Sequence, residues 1–191
     1  IFISTENVLY DCHDAYTESK RSAEKIVRQF PKHLILREPV VYGPGDKRYI
    51  GKFVALMKKM PIVPIPGDGQ WTFQPIFVED IPRYIEQGIK KNIVGTYLIA
   101  GAEAVSLNAL IKRIMELAGE KKPVVHLPMV LVRWMSQVLE VCKIKPPLVT
   151  AQLKNMMVKR VYNIQRQIKV FGIKPTPLQE GLEKTVQEKY L

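Results

Sequence analysis

Residues 15–24, AYTESKRSAE, set Tyr16 and Lys20 four positions apart at the head of a predicted helix. Positions i and i+4 share one helix face, so a phenol and an ammonium can approach one site together. A free phenol, with a pKa of about 10, is a poor base near neutrality. A lysine cation held beside it favours the phenolate. A tyrosine tuned in this way can take a proton from a hydroxyl or return one to a carbonyl oxygen. The YxxxK spacing is also a common accident on helices, so the flanking sequence has to carry the assignment.

On either side lie two short apolar runs. Residues 1–5, IFIST, predict a buried strand, and residues 6–15 a polar loop. The helix is predicted over 16–30, with Ala23, Ile26, Val27 and Phe30 along one side, and Pro31 ends it. Residues 33–37, HLILR, predict a second strand. Strand, helix and strand with short connections form a βαβ unit and imply a parallel sheet.

Further on, residues 38–46, EPVVYGPGD, predict a loop punctuated by Pro39, Gly43, Pro44 and Gly45. Residues 51–60 predict a helix, 61–69 an extended proline-rich stretch, and 72–77 a strand. A helix is expected over 78–89, with Glu79 and Asp80 favouring its positive end. Residues 95–100, GTYLIA, predict a third core strand, and 106–117 a helix capped by Ser106 and ended by Gly119. Beyond Pro123 the pattern is mostly helical: 127–141, 147–158, 163–170 and 178–191.

Composition excludes several classes. Charged residues are 25% and hydrophobic residues 47% of the 191, an ordinary globular balance. No apolar run reaches the roughly 18 residues of a membrane span. His13, His33 and His126 show no metal-ligand spacing, so no metal is expected. Cys12 and Cys142 lie far apart and outside any CxxC pair, which fits a reduced, cytoplasmic setting. The net charge of +11 favours anionic ligands. The cations are spread along the chain without a zinc-finger or RNA-binding signature, so nucleic acid is not the expected partner. Trp134 with Leu131, Met135 and Val138, and Met156-Met157 with Leu153, are expected to pack in the core or between helices.

The ordered series is more specific than any one motif. Ser4-Thr5-Glu6-Asn7-Val8, then Tyr16, Lys20 and Glu24, then Leu36-Arg37-Glu38-Pro39-Val40-Val41-Tyr42-Gly43-Pro44-Gly45-Asp46 resembles the second half of the extended and atypical short-chain dehydrogenase/reductase family, the NAD-dependent epimerases and dehydratases. Pro66-Gly67-Asp68-Gly69 and Gln74-Pro75-Ile76-Phe77-Val78-Glu79-Asp80-Ile81 resemble its middle segment, and Phe171-Gly172-Ile173-Lys174-Pro175 its C-terminal signature.

The resemblance implies roles residue by residue. Tyr16 would be the catalytic acid/base, with Lys20 binding the nicotinamide ribose and lowering the phenol's pKa. Thr5 would hydrogen-bond the reacting oxygen. Pro39, Val40 and Val41 would lie against the nicotinamide of NAD or NADP. Gln70 and Gln74, with Asp68 and Trp71, would border the pocket of a small-molecule substrate such as a nucleotide-sugar, the alternative being a surface loop with a tight Gly-Asp-Gly turn; Arg48, from its charge, could meet a substrate phosphate or carboxylate, the alternative being a solvated charge cluster. A homodimer through the YxxxK helix is also implied; Ala23, Ile26 and Val27 could serve there or equally face the protein's own core.

The family's GxxGxxG fingerprint is absent, and Gly43-Pro44-Gly45 does not replace it, because it opens no helix onto a phosphate. A chain starting inside a strand without Met is expected to continue a longer N-terminal half, without which the 191 residues would not bind the cofactor or turn over. The short interval from Thr5 to Tyr16 resembles the atypical branch, which includes reductases and a structural nucleotide-binding subunit of respiratory complex I.

The expected fold is therefore α/β: part of a doubly wound, Rossmann-like parallel sheet with a small, mostly helical substrate-binding region. Residues 1–41 would carry YxxxK, 42–94 a substrate-loop region returning to the sheet, 95–120 the last core strand and helix, and 121–191 the helical substrate-binding region. The expected function is that of an NAD(P)-dependent epimerase, dehydratase or reductase acting on a sugar nucleotide or another hydroxyl or carbonyl compound. The alternative is a non-catalytic dinucleotide-binding subunit.

Overall fold

Apolar, β-branched runs 30 to 60 positions apart along the chain meet in one parallel sheet. In the computed structural model β1 (Phe2–Thr5) pairs with β2 (Leu34–Glu38), which pairs with β7 (Gly95–Leu98), all parallel. The structure describes residues 1–46, 50–141 and 159–190. Ile3 lies opposite Leu36, and Leu36 opposite Tyr97. Helix α1 (Ala15–Val27) connects β1 to β2, as the βαβ reading requires.

Helix α1 is capped by Asp14, whose carboxylate accepts from the Thr17 backbone N–H and hydroxyl at 2.9 Å each. Its last hydrogen bonds tighten, from Gln29 N to Ile26 O and from Phe30 N to Val27 O, so it ends short of Pro31. The side that meets the sheet is not the one that carries Ile26 and Phe30. Ile26 and Phe30 are 60% and 61% exposed, whereas Thr17 and Glu24 are buried. The reason is electrostatic. Arg37 of β2 reaches α1 and donates from Nε and Nη2 to the two Glu24 carboxylate oxygens, at 2.9 and 2.6 Å, while Arg28 adds a third contact at 2.8 Å. Burial opposes the charge on Glu24, but these donors outweigh it and hold the carboxyl below its ordinary range.

Three further strand pairs are outside that sheet. The 38–46 loop contains β3 (Val41–Tyr42), which pairs in parallel with β6 (Ile76–Phe77). The strand expected over 72–77 divides at Gln74-Pro75 into β5 (Thr72–Phe73) and β6. β5 runs antiparallel to β8 (Val105–Ser106). Gly101 permits the division: a Cβ there would lie 1.9 Å from the Pro75 carbonyl oxygen. The third pair adds a strand to the mostly helical reading beyond Pro123. Residues Val124–Leu127 form β9, parallel to β4 (Val63–Pro66). Val63 N and Gly67 N donate to Pro123 O and Leu127 O at 2.9 and 2.8 Å. Pro64 and Pro66 fall at the alternate positions, whose missing N–H groups would face away from β9.

Helices α2 (Ile50–Lys59), α4 (Leu107–Leu117) and α7 (Leu178–Tyr190) enclose one core, in which Tyr42, Ile50, Val54, Ile65, Leu110, Ile114, Leu182 and Val186 are buried. Ser106 caps α4 as expected, accepting from Ala109 N at 3.2 Å, and Gly119 follows its end at φ +66°. A second core lies between the three-stranded sheet and helices α3 (Asp80–Lys90) and α6 (Gln165–Phe171), where Leu34, Leu36, Tyr84, Ile99 and Phe171 are buried. Asp80, fully buried at the start of α3, accepts from Thr176 N and Oγ1, both at 2.8 Å. Helix α5 spans Met129–Val141, and Trp134 and Met135 on it are exposed rather than packed. The helix expected over 147–158, with Met156 and Met157, lies outside the described residues, as does Cys142.

Removing one partner of a buried pair strands the other charge. Glu24→Gln is expected to cost about 3 kcal/mol, read from urea unfolding near neutral pH. Because Glu24 titrates below its ordinary 4.5, that deficit should be full above this pH and shrink as the pH falls below it.

Candidate active site

The carboxyl ends of β1 and β2 gather most of the chemistry named from the sequence. Thr5 ends β1 directly opposite Glu38, the last residue of β2. Thr5 is buried, and its Oγ1 accepts from Asn7 N at 3.3 Å, capping the short 3-10 turn Glu6–Leu9. That bond uses an acceptor lone pair and leaves the hydroxyl hydrogen to be donated elsewhere.

Tyr16 lies in the first turn of α1 and is 53% exposed. One turn on, Lys20 reaches the sheet, and its Nζ donates to Ile3 O at 2.8 Å. The ammonium stands 5.0 Å from the Phe2 ring centroid and 5.7 Å from that of Tyr16, so a fixed cation faces the phenol ring. Glu38 adds a titrating group to this corner. Burial raises its carboxyl and Lys20 only partly offsets that, leaving it at about 6.

The loop joining Thr5 to Tyr16 is held by two guanidinium groups. Arg21 of α1 donates to the Cys12 and Tyr10 carbonyl oxygens. Arg160, from the far end of the chain, pairs with the buried Glu6 carboxylate, donates to Asn7 Oδ1 at 2.8 Å and stacks 4.7 Å from the Tyr10 ring centroid. Tyr162 donates to the other Glu6 oxygen at 2.6 Å and shares a 2.7 Å hydrogen bond with Tyr10 Oη. Burial and the Glu6 carboxylate push the Tyr162 phenol far above its usual range. Burial likewise raises the Cys12 thiol, so this cysteine is not an activated nucleophile.

The other sequence-derived positions are placed as follows. Pro39 is buried and Val40 and Val41 are half-buried just beyond β2, with Val40 O accepting from Ile76 N at 2.9 Å. Gln74 is buried and its amide is used within the chain: Nε2 donates to Gly101 O at 2.8 Å and Oε1 accepts from Tyr162 N at 2.7 Å. Gln70 is exposed on the turn whose N–H bonds Asp68 Oδ1 at 3.0 Å. Trp71 packs against the larger core, with its indole N–H buried and unbonded. Arg48 lies outside the described residues. No cluster of three metal-ligating side chains occurs among the described residues. Glu6, Arg160 and Tyr162 had no role in the sequence reading. Arg160 and Glu6 are 154 positions apart, and no spacing rule connects them.

The glycines of VYGPGD serve packing. Gly43, at φ +147°, approaches Val78 so closely that a Cβ would lie 2.4 Å from its methyl. Gly45 N donates to Glu188 Oε2 at 2.6 Å, and Gly51 N at the start of α2 donates to Asp46 Oδ2 at 2.8 Å. These N–H groups are engaged by carboxylates of the chain itself, so Gly45 and Gly51 do not present them to a phosphate. Among the described residues, Tyr16 and Lys20 on α1 and residues 39–41 follow the carboxyl ends of β1 and β2.

Comparison with known proteins adds context. The family model described as the RmlD substrate binding domain matches residues 10–190. The chain is 43% identical over 51 residues to a ceramide reductase of Caulobacter vibrioides, covering 26% of this chain and 16% of that protein. It is 25% identical over 144 residues to NADH dehydrogenase [ubiquinone] 1 alpha subcomplex subunit 9, mitochondrial, of Arabidopsis thaliana, covering 72% of this chain and 36% of that protein. Among solved structures, UDP-glucuronic acid 4-epimerase from Bacillus cereus in complex with NAD superposes with a TM-score of 0.73 at 19% identity, over 99% of this chain and 61% of the epimerase. The chain thus spans well under half of the two sequence relatives and about three fifths of the structural one.

The Glu38 carboxyl gives a test of the geometry at this corner. A raised carboxyl pKa means that stability falls as pH rises from about 4.5 to about 6 and is level above. Glu38→Gln should therefore be more stable than the wild type above pH 6, by about 1 kcal/mol after allowing for partial solvent access. The two should converge near pH 4.5, as read from denaturation midpoints across that window.

Proposed function

The chain belongs to the RmlD substrate binding domain family, and on that premise we propose that the protein carrying it is an NAD(P)-dependent epimerase, dehydratase or reductase in which Tyr16 is the acid/base. The observation that supports this most directly is the placement of Lys20, with its ammonium anchored on Ile3 O and facing the Tyr16 ring at the carboxyl end of the parallel pair β1–β2. Ligands of parallel sheets bind at such ends.

A nicotinamide cofactor, when bound, takes or supplies the hydride. The chain's own residues handle the oxygen. For a secondary alcohol, the C–H bonding pair leaves as hydride and the O–H proton goes to the Tyr16 phenolate, giving a carbonyl and a neutral phenol. Reduction runs the same transfers backwards. The Lys20 cation favours the phenolate and, with Tyr16, holds the ribose. Thr5 donates its free hydroxyl hydrogen to the reacting oxygen, steadying the charge that develops there. Pro39, Val40 and Val41 present an apolar wall to the nicotinamide. Gln70, exposed on its turn, and Arg48 would orient the substrate. Gln74 would act on the substrate only through the segment it braces. The substrate class is a nucleotide sugar or another hydroxyl or carbonyl compound, a ceramide-like lipid among them. Copies would pair along α1, where Ile26 and Phe30 are exposed.

A second reading is favoured by the similarity to the NADH dehydrogenase subunit: a dinucleotide-binding subunit without turnover. The two separate in the full-length protein. NAD(P)-linked turnover would be sought with UDP-glucuronic acid as the first probe and ketone-bearing lipids next. Tyr16→Phe should lower kcat by at least about a hundredfold while leaving the thermal midpoint unchanged. Turnover that survives the substitution would refute the Tyr16 role. Tight NADH binding without turnover on any probe would favour the second reading.

A further inference from the structure

Glu38 ends β2 with a half-buried carboxylate that accepts no hydrogen bond and joins no ion pair among the described residues. The other carboxylates at this corner are engaged: Glu6 by Arg160 and Tyr162, Asp14 by Thr17, Glu24 by Arg37 and Arg28. Burial opposes the charge on a carboxylate, so such groups are ordinarily met by donors or cations. Glu38 has only the field of the Lys20 ammonium, which offsets its burial in part and is itself held by Ile3 O. A second cation beside it would complete the set.

The register says what that cation can be. Glu38 lies directly opposite Thr5 on a neighbouring strand about 4.8 Å away, and the two side chains share one side of the sheet. Arg37 and Glu24 meet on the other side, so their charges cancel away from Glu38. Pro39 follows Glu38 in the chain and begins the apolar wall proposed for the nicotinamide, while Thr5 is the proposed donor to the reacting oxygen. A nicotinamide lying between these two has its ring beside the Glu38 carboxylate. That ring carries a positive charge when oxidised and none when reduced.

We propose that the Glu38 carboxylate selects the oxidation state of the bound cofactor, favouring the cationic, oxidised nicotinamide over the neutral, reduced one. This rests on the placement of the nicotinamide against residues 39–41, and not on Tyr16 being catalytic. Opposite charges a few Å apart at a half-buried site, screened by water and by Lys20, favour the charged ring by roughly tenfold in affinity. An enzyme that begins by removing hydride from a hydroxyl-bearing carbon needs the oxidised form in place. Glu38 therefore suits an epimerase or dehydratase better than a simple reductase.

The test titrates the oxidised and reduced forms of NAD and of NADP into the full-length protein by calorimetry, for the wild type and for Glu38→Gln. Thermal midpoints check that both are folded. The substitution should weaken the oxidised form relative to the reduced one, moving the ratio of their dissociation constants by roughly tenfold. In the wild type this part of the preference should be full above about pH 6 and fall away below it, while the ratio for Glu38→Gln stays level. The wild-type pH series needs no substitution, so it decides the matter even if the variant is poorly folded. A ratio indifferent to pH in the wild type, or unmoved by Glu38→Gln, would overturn the proposal, and turnover beside such a ratio would leave the Tyr16 role intact. The expected shift without turnover on any probe would uphold the proposal and remove the Tyr16 role. Failure of every cofactor form to bind would overturn both.

Discussion

The Glu24–Arg37 pair decides how helix α1 sits on the sheet, and everything at the candidate site follows from that seat. An apolar helix face would have let α1 settle by shape alone. Here a bidentate pair, hidden from water, sets both its rotation and its height. With Glu24 turned inward, Lys20 and Thr17 on the same side are turned inward too. That rotation brings the Lys20 ammonium to Ile3 O and the Tyr16 ring. Arginine suits the role because its planar fork matches a carboxylate with two hydrogen bonds and stays charged when buried.

The same device recurs. Glu6, Glu24 and Asp80 are buried carboxylates, and each is paired with an arginine: Arg160, Arg37 and Arg83. Glu6 and Glu24 tie the site loop and α1 to distant segments, while Asp80 ties α3 to the residues before α7 through Thr176. In a chain of net charge +11 the scarce carboxylates are placed where two segments must stay in register. Each such pair adds little net stability over an apolar contact, but breaking one is expensive, and that asymmetry favours a single arrangement.

What was legible in the sequence was local. The runs LILR and GTYL, the cap at Ser106 and the YxxxK spacing each depend on residues within one or two turns of each other, and each was placed correctly along the chain. The missed strand β9 is four residues long and exists because β4, some 60 positions earlier, offers it alternate N–H groups. The sequence left open whether the apolar side of α1 meets a second copy or the core, because apolar periodicity cannot reveal a face that is buried through an ion pair. At the site, Tyr16, Lys20 and Thr5 could be named from motif, whereas Glu6, Arg160 and Tyr162 meet only in three dimensions.

The way α7 closes the larger core has a consequence for how the protein is made. Leu182 and Val186 are buried with Tyr42, Ile50 and Leu110, and Glu188 holds the Gly45 N–H. Residues 1–170 carry every strand among the described residues, yet without α7 that core has an open side. Folding of this half must therefore wait until synthesis has passed residue 188. During that interval the nascent chain presents a wet, apolar trough of the kind that chaperones hold. A messenger broken shortly upstream would yield an aggregating remnant rather than a slightly shortened protein.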